Sequence, residues 1–157
     1  MSNLRSEPRQ EHLSDLDWPA VFNRLHEGLV IAEVVHESDN EVNWRYLHVN
    51  EAWSQLTGLS SQGISGKLVT EVIPGVEKHW LEGFARVAID QRPQTFVGPV
   101  SELGRTYDIR AFPVSENRFG LLFFDVTERE ENELRLKERA VELENKIKAE
   151  LGARAKT

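Results

Sequence analysis

The run from Arg118 to Ile147, RFGLLFFDVTEREENELRLKERAVELENKI, constrains the fold more than any other stretch. Phe119, Leu121, Leu122, Phe123, Phe124 and Val126 fall within one short window, the composition of a buried strand. With no loop in between, polarity and period then change to those of a long charged helix. Thr127 with Glu130, and Asp125 with Glu128, have the spacing of a capping box. The pattern predicts a core strand and a surface helix joined through Asp125 and Thr127. Caps at these positions contribute roughly 1 kcal/mol each, and they also fix the angle at which a helix leaves a sheet. Strain in the sheet then reaches the helix directly, so this joint is the expected point of signal transmission.

The helix carries its own pattern. Leu136, Ala140, Leu143 and Ile147 follow the 4-3-4 spacing of a coiled-coil seam. Glu131 with Arg135, Glu133 with Lys137, Glu142 with Lys146 and Glu144 with Lys148 are acid-first pairs one turn apart, worth about 0.2–0.5 kcal/mol each. Two heptads with an alanine in the seam are marginal alone. A parallel homodimer is therefore the expectation, against a solvated helix folded back on its own sheet. Gly152 is read as the end of the helix. Such a chain is either a piece of a larger protein with an effector domain or a module that binds a partner protein.

Across 157 residues, 39% hydrophobic content supports one packed domain with extensions. The net charge of −7 argues against nucleic acid as a partner, because phosphate binding needs clustered Lys and Arg. No cysteine is present, so disulfides, thiolate zinc sites and cysteine nucleophiles are excluded. The N-terminal fifteen residues carry no apolar core of a secretory signal, and no run approaches the roughly 18 apolar residues of a membrane span. A cytoplasmic protein is the default expectation.

Taken in order, residues 1–16 are polar and read as a disordered tail, residues 17–127 as the domain, and residues 128–157 as linker helix and frayed end. Asp17-Trp18-Pro19 begins a short amphipathic helix whose Val21, Phe22 and Leu25 share a face, with Gly28 expected to end it. That face suits either packing on its own domain or a dimer contact. Leu29 to His36 and Val42 to Val49 read as a hairpin turned at Ser38, Asp39 and Asn40. Asn50 and Gly58 bracket a two-turn helix as its caps. Leu68 to Ile73 is a short apolar piece, and Glu77 to Gln91 is an amphipathic helix built on Trp80, Leu81, Phe84 and Val87. Thr95 to Val100 reads as a strand that Gly98-Pro99 places at an edge or bulge. Thr106 to Val114 alternates, with Tyr107, Ile109 and Ala111 on one face. Hairpins at both ends imply an α+β fold, an antiparallel sheet with helices over one face.

VNEAWSQLTGLSSQGISGK, EVIPG, YDIRAFPV and FFDVTERE, in that order and spacing, resemble a PAS domain over about residues 20 to 130. The matching positions are Asn50, Gly58, Gly66, Lys67, Asp125 and Thr127. The resemblance implies a five-stranded antiparallel sheet, a helical lobe over one face, and a cavity between them. It implies a sensory and dimerisation module of an intracellular, bacterial-type signalling system such as a two-component system. Asn50, Trp53, Ile73, Trp80, Phe84, Tyr107 and Phe123 are the candidate pocket residues, for a small, apolar ligand.

The chemistry-bearing residues assemble into no catalytic pattern. His79 lies where some haem-binding members place an iron ligand, but it falls off the apolar face of its helix, which disfavours haem. The family's light-driven flavin adduct needs a cysteine, so none can form here, which leaves flavin bound without an adduct open and the cofactor unassigned. Gly63-Ile64-Ser65-Gly66-Lys67 lacks the first glycine and the Ser or Thr of a phosphate loop. A ligand-free interaction scaffold is the alternative reading, and a small α+β enzyme a more remote one. Glu33 is the only acid among apolar strand residues that such an enzyme offers.

Overall fold

The computed structural model describes residues 15–39 and 41–155. Most of the N-terminal tail, Asn40 of the first turn and the last two residues lie outside them. The element order is α1 (Trp18–Arg24), β1 (Gly28–Ser38), β2 (Glu41–Val49), α2 (Glu51–Thr57), α3 (Val69–Val72), α4 (Lys78–Asp90), β3 (Gln94–Val100), β4 (Arg105–Ser115), β5 (Arg118–Asp125) and α5 (Thr127–Ala155). The strands form one antiparallel sheet in the order β2-β1-β5-β4-β3. The apolar run therefore occupies the middle of the sheet, paired with β1 on one side and β4 on the other. Only Val126 separates it from the 29 residues of α5.

Alternation decides which side of each strand is buried. Val30, Ala32 and Val34 of β1, Trp44 and Tyr46 of β2, Tyr107, Ile109 and Ala111 of β4, and Phe119, Leu121 and Phe123 of β5 are all buried. Helix α4 lies over β2, β4 and β5 and buries Trp80, Phe84 and Val87 against them. The core is largely aromatic: Trp44 meets Tyr46, Phe84 and Phe119, and Phe84 meets Phe96 and Trp80, with ring centroids 4.8–6.4 Å apart. A bulge puts Ile31 opposite His48 and Ala32 opposite Tyr46, skipping Leu47. That shift leaves His48 exposed while Tyr46 stays inward. Strand β3 is an edge, which accommodates Pro99.

Two glycines act differently from the sequence expectation. Leu25, already extended, ends α1, whereas Gly28 opens β1. A Cβ at Gly28 would lie 2.3 Å from Cζ of Phe123, so its bare backbone makes room for that ring. Gly152 does not stop α5, which continues to Ala155. An exposed helical glycine costs only about 1 kcal/mol against alanine, and good helix formers surround it. The helix thereby also carries the exposed Leu151, although the next 4-3-4 position after Ile147 is Glu150. In this single chain no described residue of α5 is buried: Leu136, Leu143 and Ile147 are exposed, as are Val21 and Leu25 of α1, while Phe22 is half-buried.

Candidate functional site

Between the sheet and the helical lobe lies a cavity of about 60 Å³. Trp53 and Thr57 of α2, Ile73, Val76, Trp80 and Phe84 of the lobe, and Val30, Trp44, Tyr46, Tyr107 and Phe123 of the sheet are among its walls. Six of the seven candidate pocket residues thus meet around one space. Asn50 does not line it. Its Oδ1 accepts from Leu29 N (2.9 Å) and Trp53 N (3.1 Å), and its Nδ2 donates to the carbonyls of Phe22 and Glu27 (2.9 Å each). With all its donors and acceptors engaged and only 2% of its surface exposed, Asn50 is a knot tying α1, β1 and α2 rather than a ligand contact.

Three of the polar side chains in the walls have hydrogen-bond partners, Thr57 among them through the Trp53 carbonyl at 2.6 Å. Trp80 Nε1 donates to the Pro99 carbonyl at 3.1 Å, and the Tyr107 hydroxyl donates to the Leu56 carbonyl at 2.8 Å. Burial, offset by Arg105 and reinforced by Asp125, pushes the Tyr107 hydroxyl up to about 12, so it remains a donor near neutrality. Burial raises the Tyr46 hydroxyl further still. Trp44 Nε1 is the exception: it is buried and has no hydrogen-bond partner among the described residues.

The Leu56 carbonyl, in the last turn of α2, begins a chain of contacts that ends at α5. Besides Tyr107 it accepts from Arg105 Nη1 at 2.8 Å, and Arg105 Nη1 lies 3.5 Å from Asp125 Oδ2. The other Asp125 oxygen accepts from Thr127 N (2.9 Å) and Thr127 Oγ1 (2.5 Å). Thr127 Oγ1 in turn accepts from Thr106 N at 2.8 Å, and Val126 N donates to the Thr106 carbonyl at 2.8 Å. The expected capping boxes are not what forms. Instead of closing on Glu130, Thr127 bonds across to β4 and back to Asp125. Glu130 N bonds the Val126 carbonyl at 2.9 Å as the first rung of the helix. A tertiary donor has won over the local one because β4 runs beside the joint.

No protein-family model matches the sequence, and no curated protein matches it. Solved structures do. An RNA-binding light-oxygen-voltage receptor superposes with a TM-score of 0.61 at 13% identity, covering 92% of this chain and 42% of that one. The chain has a PAS fold. A domain of an HTR-like protein from Haloarcula marismortui (19% identity, TM-score 0.49, 66% of this chain and 100% of that one) is also similar. So is the photoactive yellow protein domain of the sensor histidine kinase Ppr from Rhodospirillum centenum (19% identity, TM-score 0.48, 68% and 91%). This chain spans less than half the length of the light-oxygen-voltage receptor.

Flavin and haem, which occupy some PAS folds, do not fit this one as it stands. Pockets for ligands of that size run to roughly 300–1,000 Å³, several times the space here. His79 is exposed, its ring tilted by 42° against Trp80 with centroids 4.8 Å apart, and does not line the cavity. Glu33, the acid an enzyme reading would use, pairs with Arg118 at 3.2 Å, away from the cavity walls. Among the described residues no group of three metal-ligating side chains gathers, and no helix is long and apolar enough to cross a membrane. Sequence reasoning missed Arg105, which has no local partner to betray it. It also missed Trp44 and Tyr46 as walls, although their alternation in β2 was a usable signal.

Glu77 and Glu102 sit where the lobe meets the β3–β4 turn. Glu77 Oε1 accepts from Ser101 N at 2.8 Å, and Glu102 Oε2 accepts from Gly75 N. Partial burial pushes the Glu77 carboxyl up, but the hydrogen bonds from Ser101 and its own backbone, helped by His79, outweigh it, and the net shift is downward. The unfolded chain then binds more protons in the acid range. Stabilisation by this carboxylate is complete above its unfolded pKa and disappears as pH falls through the lower, folded one. Amide exchange at Ser101, corrected for the intrinsic pH dependence, should accelerate on acidification. In Glu77→Gln the same correction should leave a flat profile, and an unchanged acid response there would exclude the carboxylate as its cause.

Proposed function

We propose that this PAS fold is a sensory and dimerisation module of a signalling system, taking its input at the cavity and delivering its output through Asp125 and Thr127 to α5. The observation that carries the reading is the single-residue bridge between the central strand and the long helix, cross-tied to Leu56, Arg105 and Thr106. Trp53 and Thr57 on α2 and Tyr107 and Phe123 on the sheet line the cavity: Tyr107 shares the Leu56 carbonyl with Arg105, Thr57 follows Leu56 in the chain, and Phe123 lies two residues before Asp125. A shift in any of them alters the partners that set the direction of α5.

The ligand this cavity suits is small and apolar, with one acceptor atom to satisfy Trp44 Nε1. The output is a parallel homodimer along Leu136, Ala140, Leu143 and Ile147, read by an effector domain or partner protein. Charge supports parallel pairing: Arg139 flanks the seam five residues before Glu144, so in register it faces Glu144 of the partner subunit, and the pair repeats by symmetry. Val21, Phe22 and Leu25 offer a second contact beside it. A ligand-free interaction scaffold is the alternative, favoured by how nearly the aromatic side chains fill the core.

A mutant cycle in a chimera tests the coupling without knowledge of the stimulus. With α5 fused in register to a histidine kinase, Phe123→Leu perturbs the core and Asp125→Ala with Thr127→Ala cuts the joint. We expect Phe123→Leu to change autophosphorylation about fivefold in the parent and hardly at all once the joint is cut, an interaction of about 1 kcal/mol. Equal effects in both backgrounds would mean that the core does not signal through these residues.

A further inference from the structure

Of the side chains around the cavity, Val76 and Leu103 are the two that are half-buried rather than buried, so the space comes nearest to solvent between them. Each adjoins a carboxylate bond. Val76 stands between Gly75 and Glu77, Leu103 follows Glu102, and Val100, another wall, precedes Ser101. The bonds are reciprocal: Glu102 of the turn takes Gly75 N of the lobe, and Glu77 of the lobe takes Ser101 N of the turn. We propose that these two carboxylates latch the portal of the cavity, and that small apolar molecules pass between Val76 and Leu103 when the latch opens. This deepens the sensory reading above and rests on its assignment of the cavity.

Four features fit a latch better than a permanent seam. Both bonds are at the surface, so water replaces them at once when they part. The second oxygen of Glu77 is buried without a partner among the described residues, a cost that opening relieves. Position 75 is also shaped for the bond, since a Cβ there would lie 2.8 Å from Glu102 Oε2. Pro74, with its fixed φ, and the 3₁₀ turn Ser101–Leu103 stiffen the two lips, so they part as units.

Xenon is a suitable probe, because a small dry apolar cavity takes it up without hydrogen bonds. Methyl resonances of Val30, Ile73, Val76 and Val100 report its binding and exchange rate in the intact chain. In Glu77→Ala with Glu102→Ala we expect exchange to quicken about tenfold while affinity changes less than about twofold, because the portal changes and the cavity does not. Gly75→Ala, which displaces the Glu102 carboxylate alone, should give a smaller acceleration. Amide exchange at Gly75 and Ser101 should rise in step. Xenon that binds with an unchanged rate in the double variant overturns the portal and leaves the cavity reading standing. Xenon that shifts none of these methyls in either protein overturns the cavity reading, and the portal with it.

Discussion

Asn50→Ala is expected to lower the stability of the fold by about 3 kcal/mol, since a hydrogen bond lost at a buried backbone group costs roughly 1 kcal/mol or more. Four such groups lose their partner: Leu29 N, Trp53 N and the carbonyls of Phe22 and Glu27. Two of the four bonds are only part-buried, which keeps the sum below four full penalties. In a domain of this size the loss corresponds to roughly 10 °C in Tm. Asn50→Asp separates the two halves of the knot. Aspartate still accepts from Leu29 N and caps α2 at Trp53 N, and it is as good an N-cap as asparagine. It cannot donate, so it sets a carboxylate against the Phe22 and Glu27 carbonyls. We therefore expect Asp to restore protection of Trp53 N but not of the turn after α1, as read by amide exchange. Equal recovery at both places would show that Asn50 is a helix cap and nothing more.

Gly28→Ala is expected to cost about 2 kcal/mol, within the range for overpacking a core. The cause is contact, not backbone conformation. Gly28 pairs directly with Phe123 across β1 and β5, and the new Cβ would fall 2.3–2.8 Å from three atoms of its ring. The ring must turn, against Tyr107 at a centroid distance of 5.5 Å or into the cavity it lines. Phe123→Leu in the same chain removes the obstructed atoms. Denaturant unfolding of the four proteins of this cycle should show the pair to be less destabilised than the sum of the singles by at least about 1 kcal/mol. Additive losses would place the strain elsewhere.

What the sequence disclosed, and what it hid, follows from the range of each interaction. The strand-to-helix joint, the alternation of β4 and the caps of α2 are patterns within a few residues, and they reappear in the structure. Asn50 was legible as a cap through its bond to Trp53, but its other three side-chain partners lie 21 to 28 residues away and leave no local trace. Thr127 and Glu130 had the right spacing for a box. They lost it to Thr106, 21 residues upstream, which only the pairing of β4 with β5 brings near. Gly28 and Gly152 were misread for one reason. A glycine marks a chain end, a turn or a close approach, and only the neighbours in space tell these apart. Six of the candidate residues line the cavity because large apolar side chains at inward positions are where any such space must lie. That the aromatic rings nearly close it could not be read from a list of residues.

The central claim is that β5 and α5 form one mechanical unit whose angle is set by Asp125 and Thr127. With no native cysteine, spin labels at Glu116→Cys on the β4–β5 turn and Asn145→Cys on α5 report that angle by pulsed electron resonance, diluted in unlabelled protein. The parent should give one narrow distance distribution, and Asp125→Ala with Thr127→Ala a broad one over an intact sheet. A broad distribution in the parent, or an unchanged narrow one in the variant, would contradict the account.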